Sequence, residues 1–165
     1  MDFKKFKNKA SEITSKAKKA WNNSLNYAWN KLSGSSFTLK SDKEIELLRK
    51  KSKNSKHTTD SWETKTYTHR SIVIFWEKES DFFRFMLGYF PVLQTKAFTQ
   101  NIPIKLADSS STDINLSKYD ITETPCMLIF ENSKKFKVIP WRENIQKLVK
   151  WVNLNINNAI DDFTS

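Results

Sequence analysis

Three short apolar runs limit what the second half of this chain can become. "SIVIFW" (71–76) is a continuous apolar run of β-branched and aromatic residues, with "IPIKLAD" (102–108) a second short buried strand and "PCMLIFEN" (125–132) another. That is the pattern of strands covered on both faces. Between the first two lies "SDFFRFMLGYFPVLQTKAFTQ", which reads as a helix, and "STDINLSKY" reads as a short helix or turn. "KKFKVIP" alternates like a strand, and "RENIQKLVKWVNLNINNAID" carries an amphipathic helical stripe through Ile145, Leu148, Val149, Val152 and Ile156. Strands that alternate with helices in this way call for a central mixed sheet with helices on its faces, an α/β three-layer fold.

The first 70 residues differ. Apolar residues recur at Phe3, Phe6, Ala10, Ile13, Ala17, Trp21, Leu25, Ala28 and Leu32, close to the helical period of about 3.6 residues, and lysines fill the other face. Gly34 is expected to close this helix in a left-handed cap. Beyond it, "SFTLK" predicts a short strand, and Ser41 or Asp42 caps a helix in "DKEIELLRKKSK". "NSKHTTDS" reads as a polar loop and "WETKTYT" as a half-exposed strand.

Charge follows the same boundary. The net charge is +10, and residues 1–33 hold 8 lysines against Asp2 and Glu12. From Ser71 onward 11 basic residues balance 11 acidic ones, so all the excess lies in the first 70 positions. A neutral globular body with a basic arm is drawn to anionic surfaces or partners. Aromatics on one face and lysine in place of arginine favour an anionic membrane surface over nucleic acid as the partner of residues 1–33. Packing on the chain's own domain or on a second copy in a homo-oligomer competes with that reading. No run approaches the ~18 apolar residues of a membrane-spanning helix, and no signal-peptide core opens the chain. A cytoplasmic location is expected, with the arm able to hold the protein on the inner face of a membrane.

Several chemistries are excluded or disfavoured. Two glycines cannot build a glycine-rich phosphate loop, and one cysteine cannot form an internal disulfide. His57 and His69 have no ligand-like spacing to each other or to Cys126, so no metal site is expected, and no cofactor is implied.

From Ser36 to Ile160 the chain resembles the thioredoxins. The buried strand "IVIFW" ends in Phe75 and Trp76, and "KYDITETPCMLIFENSKKFKVI" sets Lys118, Tyr119, Ile121 and Pro125 in the register of that family's run into its proline-led strand and hairpin. The resemblance implies a thioredoxin-like domain over 34–165, with the N-terminal amphipathic α-helix of 1–33 added to it. It also implies a cis peptide bond before Pro125, and a groove where the residue before that proline offers main-chain hydrogen bonds to an extended peptide. The departure is chemical. The family's Cys-x-x-Cys position falls on Ser80, Asp81, Phe82 and Phe83, and no cysteine occurs between Glu77 and Gln100. An internal dithiol cycle is therefore closed to this chain.

The implied peptide-binding surface consists of Trp76, Ser80, Asp81, Phe82, Phe83, Thr124 and Pro125. Ser80 lacks a base to activate it and reads as a helix cap. Cys126 has two readings: a lone reactive thiol working as a single-cysteine thiol-disulfide oxidoreductase, or a small hydrophobe in a buried strand. Acids at Glu77, Glu79 and Asp81 oppose thiolate formation there. The aromatic-rich "DFFRFMLGYF" covers more than one helix face, through burial on both sides or through an apolar patch that meets a partner. The expectation is a redox-inactive binding or scaffold module for a protein or extended peptide.

Overall fold

The apolar runs form the centre of a sheet. The computed structural model of the chain describes residues 15–17, 19, 20, 23, 24, 27, 30, 31, 34–77, 80–140, 144, 147 and 155–164. Two compact units result, Met1–Ser35 and Ser36–Ser165.

In the first unit the described residues from Ser15 to Lys31 are helical and exposed. Ser24 Oγ donates to the Ala20 carbonyl at 3.0 Å, and the Lys31 ammonium lies 5.6 Å from the Tyr27 ring centroid. Most of the apolar stripe (Phe3, Phe6, Ala10, Ile13, Trp21, Leu25, Ala28 and Leu32) lies outside the described residues. Gly34 does not adopt the left-handed cap expected of it, because neither glycine has a positive φ. Its N–H donates to the Asn30 carbonyl at 3.1 Å, and a Cβ there would meet that same oxygen at 3.1 Å. Close approach to the helix end, with no left-handed turn, is what favours glycine at this position.

The second unit runs β1 (Thr38–Leu39), α1 (Asp42–Lys50), β2 (Ser55–Thr58), β3 (Thr64–Tyr67), β4 (Arg70–Trp76), α2 (Asp81–Thr99), β5 (Ile104–Asp108), a 3-10 turn (Leu116–Tyr119), β6 (Cys126–Glu131), β7 (Lys134–Pro140) and α3 (Ile156–Thr164). Among the described residues β1-β5-β4-β6-β7 form a mixed five-stranded sheet. β5 is parallel to β1 and β4, whereas β6 is antiparallel to β4 and β7. This is the mixed α/β architecture that the order of elements predicts.

Alternation along the strands divides the core. Val73, Phe75, Leu128 and Phe130 join Ile45 and Leu48 of α1 in one apolar cluster. Ile72, Ile74, Trp76, Met127 and Ile129, also fully buried, point to the opposite face. α2 buries Met86, Phe90, Leu93 and Ala97, spaced along one helical stripe. Each large side chain taken out of water contributes about 1.5–3 kcal/mol, so β4, buried from Ser71 to Trp76, anchors the unit. The Gln100 side chain accepts from the Ile156 N–H at 2.7 Å, tying the start of α3 to the end of α2. Arg70, 11% exposed, binds Glu131 and Asp161 at 2.7 Å each and so fastens α3 to the sheet. Of the predicted final helix, Ile145, Leu148, Val149 and Val152 lie outside the described residues, and Ile156 is buried.

Two local expectations are corrected. "NSKHTTDS" is not all loop: its Ser55–Thr58 pairs antiparallel with Thr64–Tyr67 in a separate ribbon, and all eight residues are exposed. Pairing with β3, not apolar patterning, makes this segment a strand. Ser41 holds the extended N-cap backbone of α1 without a capping side-chain bond. Glu44 instead reaches back to the Lys40 N–H at 2.5 Å.

Candidate functional site

The antiparallel register of β4 and β6 builds the site. Phe75 pairs with Cys126, so continuing the register places Glu77 opposite Thr124 just beyond the ladder. Thr124 Oγ1 donates to Glu77 Oε1 at 2.8 Å. Ser80, three residues after Glu77 and just before α2, donates its hydroxyl to the Glu77 carbonyl at 2.9 Å. Glu77 thus links the start of α2 to the segment entering β6. The Thr124–Pro125 peptide bond is cis.

A cleft of ≈ 430 Å³ opens beside this link, lined by Leu116, Ile121, Thr122, Glu123, Thr124 and Glu77. The approach is set by Asp120, whose left-handed backbone (φ 57°) directs its N–H to the carbonyls of the preceding 3-10 turn. The main-chain N–H and C=O groups of Thr122, Glu123 and Thr124 form no hydrogen bond to another described residue. Thr122 and Glu123 are exposed and Thr124 is half-buried, so water or an added strand can take these groups. Glu77 and Glu123 line the cleft and are exposed, so the cleft is acidic.

The sequence-predicted residues separate here. Ser80, Thr124 and Pro125 are half-buried and Asp81 is exposed, all near the cleft's end of the sheet. Trp76 is a correction: it is fully buried in β4, so its indole faces core and cannot form part of a peptide-binding surface. Phe82 and Phe83 belong to the first turn of α2, and their side chains lie outside the described residues. In the aromatic-rich stretch Met86 and Phe90 are core, and Tyr89 is 41% exposed.

Cys126 is 1% exposed among Phe75, Tyr119, Ile121 and Leu128. Burial pushes its thiol up to about 12, so it is protonated throughout the neutral range. The thiolate is the nucleophile in thiol exchange, and this environment withholds it. Cys126 is placed as a core side chain and not as a solvent-facing nucleophile.

Sequence reasoning missed Glu77 and Glu123 as constituents of the cleft. The signal was available in the register: once β4 and β6 are read as antiparallel neighbours through Phe75 and Cys126, Glu77 falls beside Thr124.

No protein-family model and no curated protein matches this chain. Similar solved structures include a designed protein, 15% identical, with 79% of this chain and 94% of that one covered and a TM-score of 0.51. Oxidised thioredoxin from Plasmodium falciparum is 13% identical, over 70% of this chain and 96% of that one, with a TM-score of 0.48. Thioredoxin from Trypanosoma brucei brucei is 10% identical, over 79% and 91%, also at 0.48. At such identities the likeness is one of fold alone. The second unit has a mixed-sheet α/β fold similar to that of the designed protein.

Proposed function

We propose that this chain is a binding module on a thioredoxin-like scaffold that captures an extended, basic peptide along Thr122–Thr124 and performs no dithiol chemistry. The observation that carries this reading is the run of main-chain groups at Thr122, Glu123 and Thr124 with no partner among the described residues, lying at an open acidic cleft. An extended peptide satisfies such groups by strand-like pairing, which needs no thiol. Glu77 and Glu123 favour lysine or arginine in the peptide. The single cysteine, buried and protonated, argues against the competing reading of a one-cysteine oxidoreductase.

The test is a decapeptide array probed with the full chain, with affinities of the hits measured in solution. Enrichment of lysine- and arginine-bearing peptides is expected, with at least a tenfold loss in Glu77→Lys and a smaller loss in Thr124→Val. Hits that bind both variants as tightly as the parent protein would remove this cleft from the account.

A further inference from the structure

A second concavity lies at the opposite end of the strands. β4 and β5 run parallel, with Ile72 beside Ile104 at one end and Trp76 beside Asp108 at the other, so the acidic cleft sits past Trp76 and this pocket sits at Ile104. It encloses ≈ 290 Å³, close to the lower limit of about 300 Å³ for small-molecule sites. Ala97, Ile102 and Ile104, all buried, form its apolar floor. Phe98, 87% exposed, and Phe37, 42% exposed, stand in its wall. An exposed phenylalanine beside an apolar concavity is the kind of surface that binding covers.

Its charges are one-sided. Lys51 and Lys105 both line the pocket, and among the described residues no carboxylate does. Neither lysine forms an ion pair with a described residue. The Lys105 ammonium donates to the Ser36 carbonyl at 2.5 Å and lies 5.1 Å from the Phe37 ring centroid. An ammonium has three donors, and that single bond leaves two for a ligand. Burial and then the Lys51 charge lower the Lys105 pKa, and an anion between the two cations would offset that repulsion.

We propose that this pocket binds a small amphipathic carboxylate, its carboxylate held between Lys51 and Lys105 and its apolar body laid over Ala97 and Ile102 against Phe98. The charge selects an anion and the floor selects hydrocarbon. The concave shape favours a single molecule over the flat face of a bilayer. This site shares no lining residue with the acidic cleft, so it stands or falls separately from peptide capture.

The test is amide NMR of the full chain titrated with octanoate, kept below micelle-forming concentrations, with octanol and octylammonium as matched ligands. Octanoate is expected to shift Phe37 and Gln94–Lys105 saturably and to bind at least tenfold tighter than either match. The paired substitution Lys51→Gln with Lys105→Gln should cost octanoate tenfold or more and leave octanol unchanged. Phe98→Ser, at an exposed position that the fold does not need, should weaken both. Side-chain NMR of Lys105 should show its depressed pKa rising as octanoate binds. Equal binding of octanol and octanoate, or no saturable shift in this region, would overturn the proposal. Shifts produced by phosphatidylglycerol vesicles and not by octanoate would overturn it in favour of a lipid surface.

Discussion

The two ends of α2 meet opposite chemistry. At its start, where Asp81 opens the helix, Glu77 and Glu123 line a cleft of main-chain groups with no partner among the described residues; at its finish, Lys51 and Lys105 line a pocket with an apolar floor. A 19-residue helix spans about 28 Å, so the two sites are far apart and share one scaffold. The macrodipole favours acids at a helix start and cations near its end, and the two charge sets follow that preference. The dipole does not account for the rest of the difference. At the start, chain entering β6 leaves its backbone unpaired, whereas at the finish the strands are paired and the side chains define the surface. The helix supplies the polarity, and the sheet edge supplies what each end can grip.

The strongest way to break this comparison is to remove what the two ends share. Phe75 is fully buried at the centre of the apolar cluster, and Phe75→Ala is expected to cost about 3–5 kcal/mol. Chemical denaturation should show a single lowered midpoint. Peptide and octanoate binding should fail together as the temperature rises. Loss of one site with the other intact would mean that the ends are supported separately.

Cys126 gives the next largest effect and bears on the acidic end alone. Burial raises its folded-state pKa to about 12 from the ordinary thiol value of 9.0. Below pH 9 the thiol is protonated in both folded and unfolded chains, and stability is unaffected. Between pH 9 and about 12 the unfolded chain ionises and the folded one does not, so stability falls by at most about 1.4 kcal/mol per pH unit. Cys126→Ala should remove that part of the alkaline slope, measured by urea titration at several pH values. A thiol reagent should label the native protein far more slowly than the unfolded protein at pH 8. Rapid native labelling would return Cys126 to the surface and reopen thiol chemistry at this end.

A double-mutant cycle sharpens the separation. Glu77→Gln should weaken peptide binding by about 1 kcal/mol, and Lys105→Gln should weaken octanoate binding by about the same. For sites this far apart the combined variant should be additive within about 0.3–0.5 kcal/mol in each assay. A larger coupling energy, read by calorimetry, would show that α2 transmits one occupancy to the other.

What the sequence disclosed and what it concealed divide along physical lines. β4 and β6 were legible because strands covered on both faces must be almost continuously apolar, and β5 because Lys105 alone interrupts its apolar residues before Asp108. The ribbon's first strand was not, because Ser55, Lys56, His57 and Thr58 are polar on both faces and pair only through their backbone with Thr64–Tyr67. At the acidic end Thr124 and Pro125 were visible through family resemblance, which also put Trp76 in the peptide-binding set although its strand reads as buried on both faces, as it is. Glu77 and the pair Lys51 and Lys105 depend on tertiary register: residues 54 positions apart line one pocket, and no local pattern marks such a meeting.

The smallest predicted effect concerns sign. Asp81 opens α2, where a carboxylate is favoured by the macrodipole, so Asp81→Asn should destabilise the unit by about 0.3–1 kcal/mol. Lys105 is crowded by Lys51 and its pKa is lowered, so the unfolded chain binds its proton more readily than the folded one. Stability should therefore rise with pH as Lys105 titrates, between its lowered folded value and the ordinary lysine value of 10.5. Lys105→Met, which removes the charge and keeps much of the stem, should stabilise the unit by up to about 0.5 kcal/mol at neutral pH. Urea midpoints at low ionic strength would read both changes, and added salt should shrink both. If Lys105→Met destabilised the unit as Asp81→Asn does, the lysine would be earning its place through the Ser36 contact and the Phe37 ring. The basic end would then be a structural tie, and its difference from the acidic end would no longer be one of unmet charge.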